Sequence, residues 1–216
     1  MKFEELEPMK QELIDSIVEL EWEMFHSVNN RGGMADCQND NRTFQVMRRS
    51  QILLWPENLL ESYFGDLFRA KREGRNLMTE KYARMMETTA PMEYAQIKDR
   101  LPEISQEKQA LIDELAGIFM AWEEDVRKRY PFLEIGGRPL RQKDLSARNF
   151  SDTSFEVYNR GEISTFSEKT LRAYLEYAHG LMDQGKNGSE LIYQEMVQME
   201  GYPSLEEAQK TLGKKG

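Results

Sequence analysis

Apolar residues recur every three to four positions in segment after segment of this chain, and no stretch alternates long enough to make a convincing strand. That period predicts an all-α fold. Pro8 to Val28 is the first helix, with Ile14, Ile17, Val18, Phe25 and Val28 on one stripe and a proline placed for its first turn. Arg42 to Trp55 follows with Phe44, Met47 and Leu54 on one face, joined by the polar pair Ser50 and Gln51. Pro56 restarts a helix ending near Gly74, with Leu60, Tyr63, Phe64 and Leu67 inward. Asn76 to Thr89 carries Met78, Tyr82 and Met85, and a short helical piece lies between Pro91 and Pro102. The longest helix runs from Ser105 to Tyr130. Further helices are predicted at Thr153–Gly161, at Ser167–Met182 (Leu171, Tyr174, Leu175, Ala178 and Met182 together) and at Asn187–Gly201. A capping box, Ser204 to Glu207, opens the last one. The expected architecture is one multi-helix domain over residues 1–216, with a long ordered loop at about 130–153 and a frayed tail at 213–216.

Composition narrows the class. At 216 residues, 39% apolar and 31% charged, the chain can bury a core of its own without staples. A net charge of −9 argues against a general nucleic-acid binder, which needs a basic field. One cysteine leaves no internal disulfide and fits a reducing compartment. The acidic opening lacks a signal-peptide core, and no apolar run reaches the ~18 residues of a membrane span. The expected location is the cytoplasm, with no membrane partner.

One carboxylate breaks the helical pattern. Glu21 sits near the centre of the first helix's apolar stripe, while Glu12, Asp15, Glu19 and Glu23 point the other way. An unpaired buried carboxylate costs several kcal/mol, so Glu21 needs a partner or a task. Arg48, Arg49 or the Ser50/Gln51 pair would supply the partner. The task would be general acid/base chemistry.

Four other constellations bear on function. Glu23 with His26 and Glu176 with His179 have the Glu-x-x-His spacing of di-metal carboxylate bundles, but their orientation off the apolar stripes favours solvated pairs. Cys37, in the polar loop 29–40, is either a nucleophile or a small packing residue. Arg31-Gly32-Gly33 and Gly136-Gly137-Arg138 are either anion-binding turns or ordinary ones. Residues 127–148 hold seven basic side chains against two acidic ones, for gripping a partner or for pairing with the chain's surplus acids.

The segments Leu20-Glu21-Trp22-Glu23-Met24-Phe25, Val28-Asn29-Asn30, Gly32-Gly33, Cys37-Gln38 and Phe44 to Gln51 resemble the bacterial domain of unknown function 4125 family. Thr153 to Ser167 and Gly201 to Ala208 are similar too, so the likeness covers nearly the whole chain. It departs at Met34, where the family pattern has arginine. The resemblance implies a cytoplasmic bacterial domain, sometimes beside a nucleotidyltransferase-like one, and implies no reaction and no cofactor.

The favoured expectation is a small-molecule enzyme acting on a polar, anionic substrate. Its pocket would be walled by the end of the first helix, the 29–40 loop, the Ser50/Gln51 face and residues 153–166. Glu21 would be its acid/base and Cys37 a nucleophile. Arg48 and Arg160 would clamp the substrate, with Asn30, Arg31, Gln38, Asp40 and Gln51 as further binding groups. The alternatives are a non-catalytic adaptor gripping a partner protein or RNA through 127–148, and a di-metal bundle. The substrate and any cofactor are not legible.

Overall fold

The computed structural model describes residues 3, 6–29, 36–131, 138–144 and 153–213, the side chains of Asp36 and Cys37 excepted. Ten α-helices make up most of this: α1 (Pro8–His26), α2 (Asn41–Ile52), α3 (Glu57–Arg72), α4 (Leu77–Thr89), α5 (Pro91–Ile97), α6 (Gln106–Arg129), α7 (Phe155–Ile163), α8 (Glu168–Asp183), α9 (Gly188–Met199) and α10 (Leu205–Gly213). Among the described residues there is no strand. The all-α expectation holds, with ends shifted by a few residues. Most of the 130–153 loop lies outside the described residues, as do Asn30, Arg31 and the 214–216 tail.

Local chemistry sets the helix ends. Asp40, Asn76, Ser105, Ser154, Ser167 and Asn187 each accept a hydrogen bond from the backbone N–H three residues on. Each such cap satisfies one orphan donor and is worth about 1 kcal/mol. At the other end, α3, α8 and α9 stop at Gly74, Gly185 and Gly201, all with positive φ. After each, the next residue's N–H reaches back five residues to a last-turn carbonyl: Arg75 to Ala70, Lys186 to Leu181, Tyr202 to Val197.

Packing closes six of the helices into a ring in the order α1, α3, α8, α6, α9, α2 and back to α1. Helix α4 lies on α1, and α7 lies against α4 and α6. The core runs through this ring: Ile14, Ile17 and Val18 meet Leu59, Leu60, Leu67, Leu115, Leu171 and Ala178, all fully buried. A small buried polar cluster fixes α8 to α3, where Asp66 accepts from the Ser167 N–H at 2.8 Å and from the Thr170 hydroxyl at 2.7 Å. One stripe differs from expectation: Leu181 is buried and Met182 is half exposed, because α8 turns its last turn's Leu181 to the core.

The α4–α7 contact is close: a Cβ on Gly161 would lie 2.7 Å from Met85 Cγ and 3.0 Å from the Lys81 carbonyl oxygen. Gly161→Ala must therefore push α7 off α4. A loss of about 1–3 kcal/mol is expected in urea unfolding, while Gly180→Ala, where the added methyl meets nothing within 4 Å, should gain or lose well under that.

Candidate functional site

Glu21 is completely buried, and the ring of helices brings it a partner for each oxygen. Arg48 of α2 donates from Nε to Oε2 at 2.8 Å and from Nη2 to Oε1 at 2.5 Å, a two-pronged ion pair. The Tyr63 hydroxyl of α3 donates to the same Oε1 at 2.5 Å. Arg48 then extends its third nitrogen, Nη1, to Glu162 of α7 at 2.9 Å and to Gln51 Oε1 at 2.5 Å. The other oxygen of Glu162 accepts from Lys81 of α4 at 2.5 Å. The result is a chain of alternating charge, Glu21–Arg48–Glu162–Lys81, drawn from four helices and anchored on a fifth by Tyr63.

The electrostatics follow from this alternation. Burial alone would raise the Glu162 carboxyl, but the charges of Arg48 and Lys81 outweigh it and hold it down at about 2. Burial opposes the charge on Lys81 and Arg48 too, yet Glu162 raises both, with Glu21 adding to the effect on Arg48. Burial, reinforced by Glu21, pushes the Tyr63 phenol well up. Arg48, Glu162, Lys81 and Tyr63 are therefore each locked in one protonation state at neutral pH.

One end of the chain opens on a cavity of about 370 Å³ between α2, α6, α7, α8 and α9. Glu162 and Gln51 face into it, Glu162 with 15% of its side chain exposed. Nine aromatic residues line it: Trp55, Phe119, Trp122, Phe155, Tyr158, Phe166, Tyr174, Tyr177 and Tyr193. Edge-to-face contacts hold several of these rings, with centroids 4.9 Å apart for Trp55–Tyr174 and 5.0 Å for Phe119–Tyr174. Gly188, at the start of α9, is packed so closely on the Trp122 ring that any Cβ would overlap it. Besides Gln51 and Glu162, the polar lining residues are Arg127, Arg138, Asn159 and Ser189. Tyr158 lies between two cations, with Lys81 Nζ 3.6 Å and the Arg138 guanidinium carbon 4.7 Å from its ring centre.

The residues read from the sequence fall into three groups. Glu21, Arg48 and Gln51 come together, and Gln51 reaches the cavity. Gln38, Asp40 and Arg160 do not join them. Gln38 is buried and its amide donates to the Phe25 and Val28 carbonyls, both at 2.9 Å, tying the loop to the end of α1. Asp40 caps α2, and Arg160 pairs with Asp113 on the outer surface at 2.5 Å. Asn30, Arg31 and the Cys37 side chain lie outside the described residues. Of the expected pocket walls, Gln51 and α7 line this cavity and the end of α1 does not.

The other constellations disperse. Glu23 pairs with Lys71, His26 Nδ1 lies 3.0 Å from the Gln38 carbonyl oxygen, and His179 pairs with Glu114 at 3.1 Å. Among the described residues no three histidine, cysteine, aspartate or glutamate side chains gather as a metal site would need. The basic run is met by acids of its own helix, Arg127 by Glu123, Lys128 by Glu124 and Arg129 by Asp125.

Lys81, Glu162, Tyr158 and Asn159 were not singled out from the sequence. A signal existed: Lys81 sits between Met78 and Met85 on one helical face, and Glu162 lies midway between Tyr158 and Phe166 at the same spacing.

A family model described as "Protein of unknown function (DUF4125)" matches residues 11–210. The chain belongs to that family. No curated protein matches it, and no solved structure does. Among the described residues no helix is long and apolar enough to cross a membrane.

Breaking a buried ion pair strands its partner. Glu21→Gln or Arg48→Met should each lower stability by about 3–5 kcal/mol in denaturant titration, and the double variant Glu21→Leu/Arg48→Met by less than their sum. The depressed Glu162 carboxyl adds a pH dependence. Its contribution is fully present above the ordinary value of 4.5 and disappears as pH falls towards about 2. In acid unfolding curves, Glu162→Gln should flatten the loss of stability over that interval; an unchanged slope would mean that the carboxyl is not held down.

Proposed function

We propose that this protein binds a small, flat, largely aromatic molecule that carries an anionic group. The observation that carries this reading is the cavity of about 370 Å³ lined by nine aromatic side chains together with a smaller set of polar ones. Rings clamped edge to face make preformed slots that flat molecules fill with little ordering cost. The anion would meet Arg138 at the mouth. That guanidinium stacks on Tyr158, donates to the Thr153 carbonyl at 3.1 Å and has no carboxylate partner among the described residues.

Binding fits the site better than acid/base chemistry does. A general acid or base works best with a pKa near the working pH. The network behind the cavity has no such group: Glu162 is held at about 2, while Lys81, Arg48 and Tyr63 are all raised. Lys108, which burial and Arg84 push down to about 8, donates to the Ser164 carbonyl at 2.8 Å and does not line the cavity. Glu21 has both oxygens engaged and stands behind Arg48. It serves here as a positioning residue.

The test uses 1-anilinonaphthalene-8-sulfonate, a flat aromatic anion. It should bind one per chain, quench Trp55 and Trp122 fluorescence and raise Tm. Arg138→Ala should weaken it about fivefold, the loss of roughly 1 kcal/mol of charge interaction, and Ile192→Trp, which fills the cavity, should abolish it. Absence of binding to the folded protein, or binding unaffected by Ile192→Trp, overturns the reading.

A further inference from the structure

The cavity wall contains an acceptor with nothing to accept. Asn159 lines the cavity, and its Oδ1 is buried with no hydrogen-bond partner. A buried carbonyl left unpaired costs about 1–3 kcal/mol, and native structures leave few. Asn159 is held on α7 three residues before Glu162, so the two side chains sit on neighbouring positions of one helical face. Glu162 is the second acceptor. Its two oxygens take one hydrogen bond each from Arg48 and Lys81, which leaves lone pairs on the 15% of the side chain that is open.

Their neighbours on the same segment are largely carbon. Tyr158, Phe155, Ile163 and Phe166 of the same segment present aromatic or aliphatic surface to the cavity. A water molecule needs two to four polar partners to be held in place, and such a wall offers few. A flat ligand that already fills the slot brings its own edge to Asn159 without any additional ordering cost. As it stands Oδ1 is closed off from the open space, and the soft terminal torsion of the asparagine amide lets it turn to meet that edge.

We infer that the ligand is a heteroaromatic acid whose ring N–H, rather than a purely hydrocarbon edge, is donated to Asn159 Oδ1 on α7. This rests on the cavity being the ligand site. The ring fills the aromatic slot and the acid faces Arg138. A donor edge is then distinguished from a hydrocarbon or sulfur edge because only the donor satisfies the buried carbonyl. A site built to hydrogen-bond a ligand group discriminates strongly against an analogue that lacks it.

Two probes of matched shape test this, indole-3-acetate and benzothiophene-3-acetate, in which sulfur replaces the ring N–H. Calorimetry on the full chain should show indole-3-acetate bound at least about tenfold more tightly. In Asn159→Leu the two affinities should converge to within about twofold; Asn159→Ala serves the same purpose if the leucine variant fails to fold, as judged by near-ultraviolet circular dichroism. Equal affinities in the parent protein, or a preference that survives both variants, overturn the assignment of Asn159 while leaving the aromatic cavity intact. If neither acid binds although the anilinonaphthalene sulfonate does, this ligand class is wrong. If none of the three binds, the cavity reading falls with it.

Discussion

A buried chain of four alternating charges organises this structure. Glu21, Arg48, Glu162 and Lys81 come from α1, α2, α7 and α4, and Tyr63 adds α3. None of the four charged groups could be buried alone, because desolvation costs several kcal/mol per ion even after relaxation. Each interior charge has a neighbour of opposite sign within hydrogen-bond distance, and the set is formally neutral. This mutual dependence gives the arrangement its specificity: hydrophobic packing alone would tolerate small shifts of α7 against α4, whereas the Lys81–Glu162 bond at 2.5 Å would not.

That placement determines the cavity. Helix α7 is short, nine residues, and its faces do different work. Gly161 lets it approach the Lys81 carbonyl and Met85, while Glu162 locks it to Arg48 and Lys81. The remaining face presents Phe155, Tyr158, Asn159 and Ile163 to the cavity. Lys81 contributes twice, bonding Glu162 and standing under the Tyr158 ring. Arg138 covers the opposite side of that ring. The electrostatic network and the aromatic wall are therefore mechanically one object, and a ligand touching Tyr158 or Glu162 would bear directly on the contacts that hold α7.

How much of this could be read from the chain depends on the range of the cause. Helices were legible because periodicity and caps are local: Asn76, Ser105 and Asn187 cap the helices expected to start there. Glu21 was legible because a carboxylate in an apolar stripe must find compensation, and Arg48 stood among the partners expected for it. Lys81 and Glu162 escaped because each is flanked by residues that made the stripe look complete without them. The aromatic cavity was legible only in Gln51 and the 153–166 segment, which were among the expected walls. Its wall joins Gln51 of α2 to Ser189 of α9 and Tyr174 of α8, and only the closure of the helix ring sets those neighbours. Met182 shows the same limit on a small scale: a stripe about 100° wide cannot decide between adjacent residues at its edge, and packing chose Leu181.

The expected polar pocket and the aromatic cavity differ in one physical respect, which decides what kind of ligand the site suits. A polar pocket attracts by charge and must compete with water for every hydrogen bond. Here the charges are already spent on one another, so the network presents only a part-open carboxylate and one amide at the floor of a hydrocarbon slot. Selectivity in such a site comes from shape and from the few unsatisfied polar atoms rather than from net field. The basic run at 127–129 adds no net positive charge there, because Glu123, Glu124 and Asp125 pair with it. Arg138 remains as the cation at the mouth without a carboxylate among the described residues. With Glu162 held as a carboxylate down to about pH 2 and Arg48 and Lys81 held charged, the floor of the cavity keeps the same electrostatic face across the whole physiological range, which is what a recognition surface requires and what a proton shuttle would lack.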